Sequence, residues 1–269
     1  MKKDYINILS EFLNTPLDSG DEIFAKFSSL PGAVVGVGEK PLQRFVYVPG
    51  NRKDRVLLCA HIDTVWDKAY KKPFSDERTV IFEDGIFKSN NPDCGIGADD
   101  HAGCAMLWAL RENGHSILIT DGEEFGKIGA KYLKNSHQKL YRELNRHRYM
   151  LALDWKGTDC CLFNQVDNTA KFKKYIECDL GFVDSKTDGG CDLQILCKHV
   201  CGANLGVGYH GWHKASETLV LSEWENTFDK LTVFLENPQP RFRSRILLKY
   251  IRLAKICVNK ALRILKLKK

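Results

Sequence analysis

Residues 115–133 read His115-Ser-Ile-Leu-Ile-Thr-Asp-Gly-Glu-Glu-Phe-Gly-Lys-Ile-Gly-Ala-Lys-Tyr-Leu133. An apolar run, an acidic turn and a helical stretch follow one another here, which predicts a buried strand over 115–120 and a helix over 126–133. The same grammar recurs on both sides. Upstream, the apolar run 55–60 ends in His61-Ile-Asp63, and downstream the run 149–153 ends in Asp154. A further run at 204–208 leads into a loop that carries His210 and His213. Strands are also predicted at 44–48, 79–82 and 85–88, the last two joined by an Asp84-Gly85 turn. Helices are predicted over 5–13, 101–112 and 218–235, the last stopped before Pro238 and Pro240. Alternating strands and helices predict an α/β fold, a three-layer sandwich whose mixed, mostly parallel central sheet is flanked by helices.

The chain has 269 residues, 43% hydrophobic and 28% charged, which is globular usage with enough length for a sizeable core. No apolar run approaches the length of a membrane span. The first residues are broken by Asp4, Asn7 and Glu11 and carry no secretory pattern. With ten cysteines at irregular spacing, this predicts a cytoplasmic protein with reduced thiols. Cys191, Cys197 and Cys201 flank His199, but their spacing fits no zinc finger or ribbon, so buried thiols are expected there. The net charge of +6 is unevenly spread. Residues 241–269 hold eleven Lys and Arg and no Asp or Glu, leaving 29 basic and 34 acidic side chains in residues 1–240.

The polar groups gather where strands end, the place at which open α/β sheets bind their ligands. They are His61, Asp63, Asp99, Asp100, Glu123, Glu124, Asp154, His210 and His213. Each segment alone has an ordinary reading: a helix N-cap for the Asp pair, a solvated first turn for the Glu pair, a surface imidazole for His213. Together they are what two divalent cations need. Two ions sharing one carboxylate can each take an imidazole and a further carboxylate, with positions left for water. Asp99, Glu124 and Asp154, with a hydroxide, would balance two dications.

Four ordered motifs carry a resemblance: His61-Ile-Asp63, Gly97-Ala-Asp-Asp-His-Ala-Gly103, Asp121-Gly-Glu-Glu-Phe-Gly126 and His213-Lys-Ala-Ser-Glu217. They resemble the superfamily of co-catalytic zinc exopeptidases and deacylases, which includes bacterial zinc aminopeptidases, peptidase T and acetylornithine deacetylase. The resemblance spans roughly residues 1 to 237. It implies two Zn2+ per chain, with Co2+ or Mn2+ as alternatives. It implies His61, Asp99, Glu124, Asp154 and His213 as metal ligands, with Asp99 bridging. His213 is preferred to His210 because the family's histidine precedes an acidic residue by four positions. Asp63 is implied to orient the His61 ring, and Glu123 to be the general base as a hydroxide bridging the metals attacks an amide. His101 departs from the pattern, which more often has Lys, Arg or Asp there. The 59-residue step from Asp154 to His213 leaves no room for the inserted domain of larger members, so a compact catalytic domain over 1–237 is expected.

The implied activity is that of a hydrolase, a metallopeptidase and most directly an aminopeptidase on small peptides. An N-acyl-amino-acid amidohydrolase or carboxypeptidase on the same site is the alternative, and a non-catalytic scaffold recruited to a membrane or partner is a third reading. Trp66, Trp155 and Trp212 are candidates for a hydrophobic pocket. In the tail, Ile246, Tyr250, Leu253, Ala254, Cys257, Ala261, Ile264 and Leu265 share one helical face, with Lys and Arg mostly opposite. Residues 241–269 therefore predict a basic amphipathic helix that either contacts an anionic membrane or a protein, or packs on the domain. Without aromatic or Gly-rich interleaving, sequence-specific nucleic-acid binding is not expected.

Overall fold

The structure, a computed structural model, describes residues 5–68, 77–163 and 166–266. In chain order the elements are α1 (Tyr5–Leu13), α2 (Asp21–Ser28), β1 (Val34–Val37), β2 (Arg44–Val48), β3 (Leu57–His61), β4 (Val80–Glu83), β5 (Ile86–Ser89), α3 (Ala98–Leu110), β6 (Ser116–Thr120), α4 (Ile128–Ser136) and α5 (Gln138–Leu144). They continue with β7 (Met150–Trp155), β8 (Cys160–Leu162), α6 (Ala170–Tyr175), β9 (Val183–Asp184), α7 (Leu193–Leu196), β10 (Gly202–Gly206), β11 (Tyr209–His210), β12 (Thr218–Val220), α8 (Leu221–Glu236) and α9 (Arg245–Lys266).

Eight strands form the central sheet in the order β1-β2-β6-β3-β7-β10-β8-β9. Its centre is parallel: β6 pairs with β3, β3 with β7 and β7 with β10, whereas β2 and β8 join antiparallel. All five residues of β3 and of β6 are buried, as expected for strands covered on both faces. The period-2 alternation of side chains sorts them into two cores. Leu58, Ala60, Ile117, Ile119, Leu151 and Leu153 pack with α1, α3 and α8. Leu57, Cys59, Leu118, Met150 and Ala152 pack with α4, α5 and α7 on the opposite face. The α/β sandwich expected from the sequence is the observed architecture.

Several element boundaries differ from the sequence reading, among them α3, read over 101–112 and observed at Ala98–Leu110, and β10, read over 204–208 and observed at Gly202–Gly206; two others have a local reason. The helix after β6 begins at Ile128 rather than at residue 126, because Gly126 and Lys127 both have positive φ. The helix expected from residue 218 begins at Leu221. Thr218–Val220 instead form β12, where Leu219 is buried opposite Phe87 of β5. This strand completes a second, antiparallel sheet in the order β11-β12-β5-β4, which the sequence reading did not contain.

The close seating of α3 on β7 depends on Gly103. A Cβ there would lie 2.1 Å from the Leu153 carbonyl oxygen and 2.3 Å from Asp100 Oδ1. At the far end of the sheet His147 is buried as a neutral ring. Its Nδ1–H donates to the Leu144 carbonyl at 2.9 Å, and Nε2 accepts from the Ser116 hydroxyl at 2.8 Å. Ser116 Oγ in turn accepts from the Gly50 amide at 2.9 Å. Burial lowers the His147 pKa to about 4. The folded protein therefore binds this proton less readily than the unfolded chain, and His147 withdraws stability as pH falls from the ordinary histidine value of about 6.5 toward 4. Urea denaturation should show His147→Gln losing about 2 kcal/mol less than wild type between pH 7 and 5. Equal losses would show that His147 does not carry this acid sensitivity.

Candidate metal centre

The carboxyl ends of the three adjacent parallel strands β6, β3 and β7 deliver the central groups. His61 is the last residue of β3, Glu123 and Glu124 lie in the turn after β6, and Asp154 lies near the end of β7. Asp99 comes from the opening of α3, whose first residues have non-helical backbone angles and a cis peptide between Asp99 and Asp100. His213 comes from the loop between β11 and β12 of the second sheet, where it takes a left-handed conformation.

These groups converge. His61 Nε2 lies 3.2 Å from Asp99 Oδ1 and 3.5 Å from Asp154 Oδ1. The other Asp99 oxygen, Oδ2, lies 3.2 Å from His213 Nε2, which is also 2.8 Å from Glu124 Oε1. One carboxylate thus turns its two oxygens toward two different imidazole–carboxylate sets. Ligand atoms of His61, Asp99 and Glu124 fall within 4.8 Å of one another, as do those of His61, Asp100 and Asp154. Asp100 differs from Asp99 in that both its oxygens already accept backbone amides, from His61 and Gly103, each at 3.1 Å. His210 points elsewhere, to Glu223 Oε2 at 2.8 Å.

Asp63 organises the wall behind. His61 Nδ1 lies 3.0 Å from the Asp63 carbonyl oxygen and 3.3 Å from Asp63 Oδ1, which leaves Nε2 facing Asp99 and Asp154. The Asp63 carboxylate also accepts the amides of Glu123 at 3.0 Å and Glu124 at 3.1 Å. Glu123 Oε1 lies 3.0 Å from Lys127 Nζ, one helical turn later in sequence.

Burial and crowding set the charge state of the cluster. Burial drives the Asp154 carboxyl well above its ordinary pKa and Glu124 to about 7, and it raises Glu123 as well. Burial opposes protonation of His213, yet Asp99 and Glu124 outweigh it and raise its pKa to about 10. His61 behaves alike, with Asp154 the main group opposing the effect of burial. The chain's own groups therefore retain protons to offset too much negative charge in too little solvent.

The roles of Lys127 and Glu217 escaped the sequence reading, whereas Asp192 stands in a Gly189-Gly-Cys-Asp192 stretch whose resemblance to the family's loop already implied a part in shaping the site. Lys127 had only its position four residues after Glu123 as a signal. Glu217 closed a motif, but its work is visible only in three dimensions. Its carboxylate accepts the amides of Gly97 at 2.7 Å, Ile96 at 3.0 Å and Asp99 at 3.1 Å, pinning the segment that presents Asp99. Buried Asp192 accepts the Thr120 hydroxyl, and burial together with the Glu123 charge raises its pKa to about 7. The centre opens into a cleft of about 360 Å³, whose walls include Trp155, Lys156, Asp188, Tyr209 and Trp212. Trp66, the third tryptophan singled out from the sequence, is not among its lining residues. His101, the departure from the family pattern, is wholly buried, and its Nδ1 lies 3.2 Å from Thr15 Oγ1.

Residues 45–177 match peptidase family M28. No curated protein matches the sequence. Among solved structures, a tripeptidase from Staphylococcus aureus is 16% identical with a TM-score of 0.63, over 88% of this chain and 98% of that one. The aminopeptidase PepT from Bacillus cereus is 16% identical with a TM-score of 0.61 over the same shares. The TET1 peptidase of Pyrococcus horikoshii is 15% identical with a TM-score of 0.59, over 87% of this chain and 98% of that one. At such identities these likenesses are of fold.

Glu217→Ala should leave three buried amides without their acceptor and cost about 3 kcal/mol in urea denaturation at pH 7. A loss below about 0.5 kcal/mol would mean that the Gly97 segment is held by other contacts.

Proposed function

We propose that this chain, residues 45–177 of which match peptidase family M28, is a metal-dependent peptide hydrolase and, more closely, a dinuclear zinc aminopeptidase acting on short peptides. The observation that carries the reading is Asp99, one of whose oxygens faces His61, itself beside Asp154, while the other faces His213, itself beside Glu124. Five ligands would hold two ions: His61 and Asp154 one, His213 and Glu124 the second, Asp99 both. The fit is supported by the donor set, two imidazoles and three carboxylates. It is supported also by the raised pKa values of His213 and Glu124, the mark of a crowded negative charge that a dication would offset. The same donors accept cobalt or manganese.

When bound, the ions supply Lewis acidity, polarising the scissile carbonyl and lowering the pKa of water. The chain's residues do the rest. Glu123 takes the proton of the attacking water and returns it to the leaving amine. Its raised pKa suits a group that must both accept and release a proton, and Lys127 holds its carboxylate in place. Asp63 orients His61 through Nδ1 and fixes the backbone of both glutamates. Asp188, exposed on the cleft wall, offers a carboxylate to the substrate's free amine, and Trp155 and Trp212 offer apolar surface to its first side chain.

Lys156 supports a second reading. Its Nζ stands 3.6 Å over the Trp212 ring at the cleft wall, where it suits a substrate carboxylate, as in an N-acyl amino acid or a C-terminal residue. A substrate panel separates the two: an aminopeptidase cleaves unblocked di- and tripeptides and loses at least about tenfold in kcat/KM when their N-terminus is acetylated. Preference for the acetylated forms would instead support the amidohydrolase.

Elemental analysis of purified protein should find close to two zinc per chain, falling by about one in His213→Ala. Glu123→Gln should keep its metal and lose about 100-fold or more in kcat. Full activity in Glu123→Gln at full metal content would remove Glu123 from the reaction.

A further inference from the structure

The function proposed for the cleft makes no use of α9. This helix leaves the body at Asp167, which accepts the Arg245 side chain at 2.8 Å and the Ile246 amide at 2.6 Å. Beyond that tether its apolar residues turn to solvent. Ile246 is 55% exposed, Tyr250 66% and Leu253 49%, at spacings of four and three that place them on one face. Packing against the domain, one of the two outcomes open from the sequence, is thus not what these residues do. The sequence continues the same face through Ala254, Cys257, Ala261, Ile264 and Leu265, and sets Lys249, Arg252 and Arg263 on the other.

An apolar stripe of this length needs a cover. The charge pattern says which kind. Residues 241–269 contain no acidic side chain, so every charge that flanks the stripe is positive. A nucleic acid would pair with the cations but leave the stripe in water. No described helix is long and apolar enough to cross a membrane. A surface of anionic lipid meets both demands: acyl chains cover the stripe while headgroup phosphates meet the flanking Lys and Arg.

We propose that α9 lies in the plane of an anionic lipid surface and attaches the peptidase to it. Residues 1–240 carry five more acidic than basic side chains, so the body itself is repelled by such a surface. Attachment then depends on α9 alone and weakens with salt.

The test is co-sedimentation of the full-length protein with vesicles. One set is phosphatidylcholine alone and the other contains phosphatidylserine at about one lipid in four. Recovery is expected on the anionic vesicles, with affinity at least about tenfold lower on neutral ones and on raising salt from about 0.1 to about 0.5 M. Tyr250→Glu with Leu253→Glu tests the apolar face, and Lys249→Glu with Arg252→Glu tests the basic one. All four side chains are exposed and outside the cleft, so circular dichroism and peptidase activity in solution should stay at wild-type level. Each pair should lower vesicle affinity at least about tenfold. Three results would overturn the proposal: equal recovery on both lipids, undiminished binding by the Tyr250→Glu, Leu253→Glu pair, or no recovery together with a dimer that this pair abolishes. The last would assign the stripe to a second copy of the chain.

Discussion

The buried carboxylate of Asp63 is the constraint on which the site depends. It receives amides from two consecutive glutamates after β6 while standing against the ring of His61 at the end of β3. Three groups from two strands are thereby fixed relative to one another before any ligand arrives. Such a carboxylate is stable in the interior only because each oxygen has a donor. Its removal would leave two buried amides unsatisfied and the His61 ring free to turn.

The parallel centre of the sheet explains why the remaining groups fall within reach. Adjacent parallel strands lie about 5 Å apart, and β6, β3 and β7 end side by side. Glu124, His61 and Asp154 therefore arrive from neighbouring strand ends with little freedom. Asp99 and His213 have no such rail. Glu217, itself on the loop from the second sheet, pins the backbone that carries Asp99, so the element that supplies His213 also positions the carboxylate His213 faces. The pairing of β12 with β5 is what brings that loop over the centre.

Charge is segregated at two scales. Within the cleft, acidic groups are concentrated beyond what their own cations offset, and this raises the pKa values of His213 and Glu124. Across the chain, an acidic body is joined to a tail with cations only. The first imbalance suits small dications and the second suits an extended anionic surface. A buried cluster resolves charge over a few ångströms, whereas an exposed helix acts over a Debye length.

Periodicity and motif order made the α/β sandwich and the convergence of His61, Asp99, Glu123, Glu124 and Asp154 legible, because burial on both sheet faces writes continuous apolar runs and chemistry follows directly after them. The α8 boundary was misread because Thr218–Val220 lie in phase with the helix that follows, and only pairing with β5 holds them extended. The structure turns His213 rather than His210 toward Asp99, gives Glu217 its three amides and exposes the apolar face of α9. Each of these turns on contacts between residues more than a hundred positions apart, or on their absence among the described residues. Local sequence encodes which side chains are able to bind; the packing of the second sheet and the departure of the tail from the body decide which of them meet.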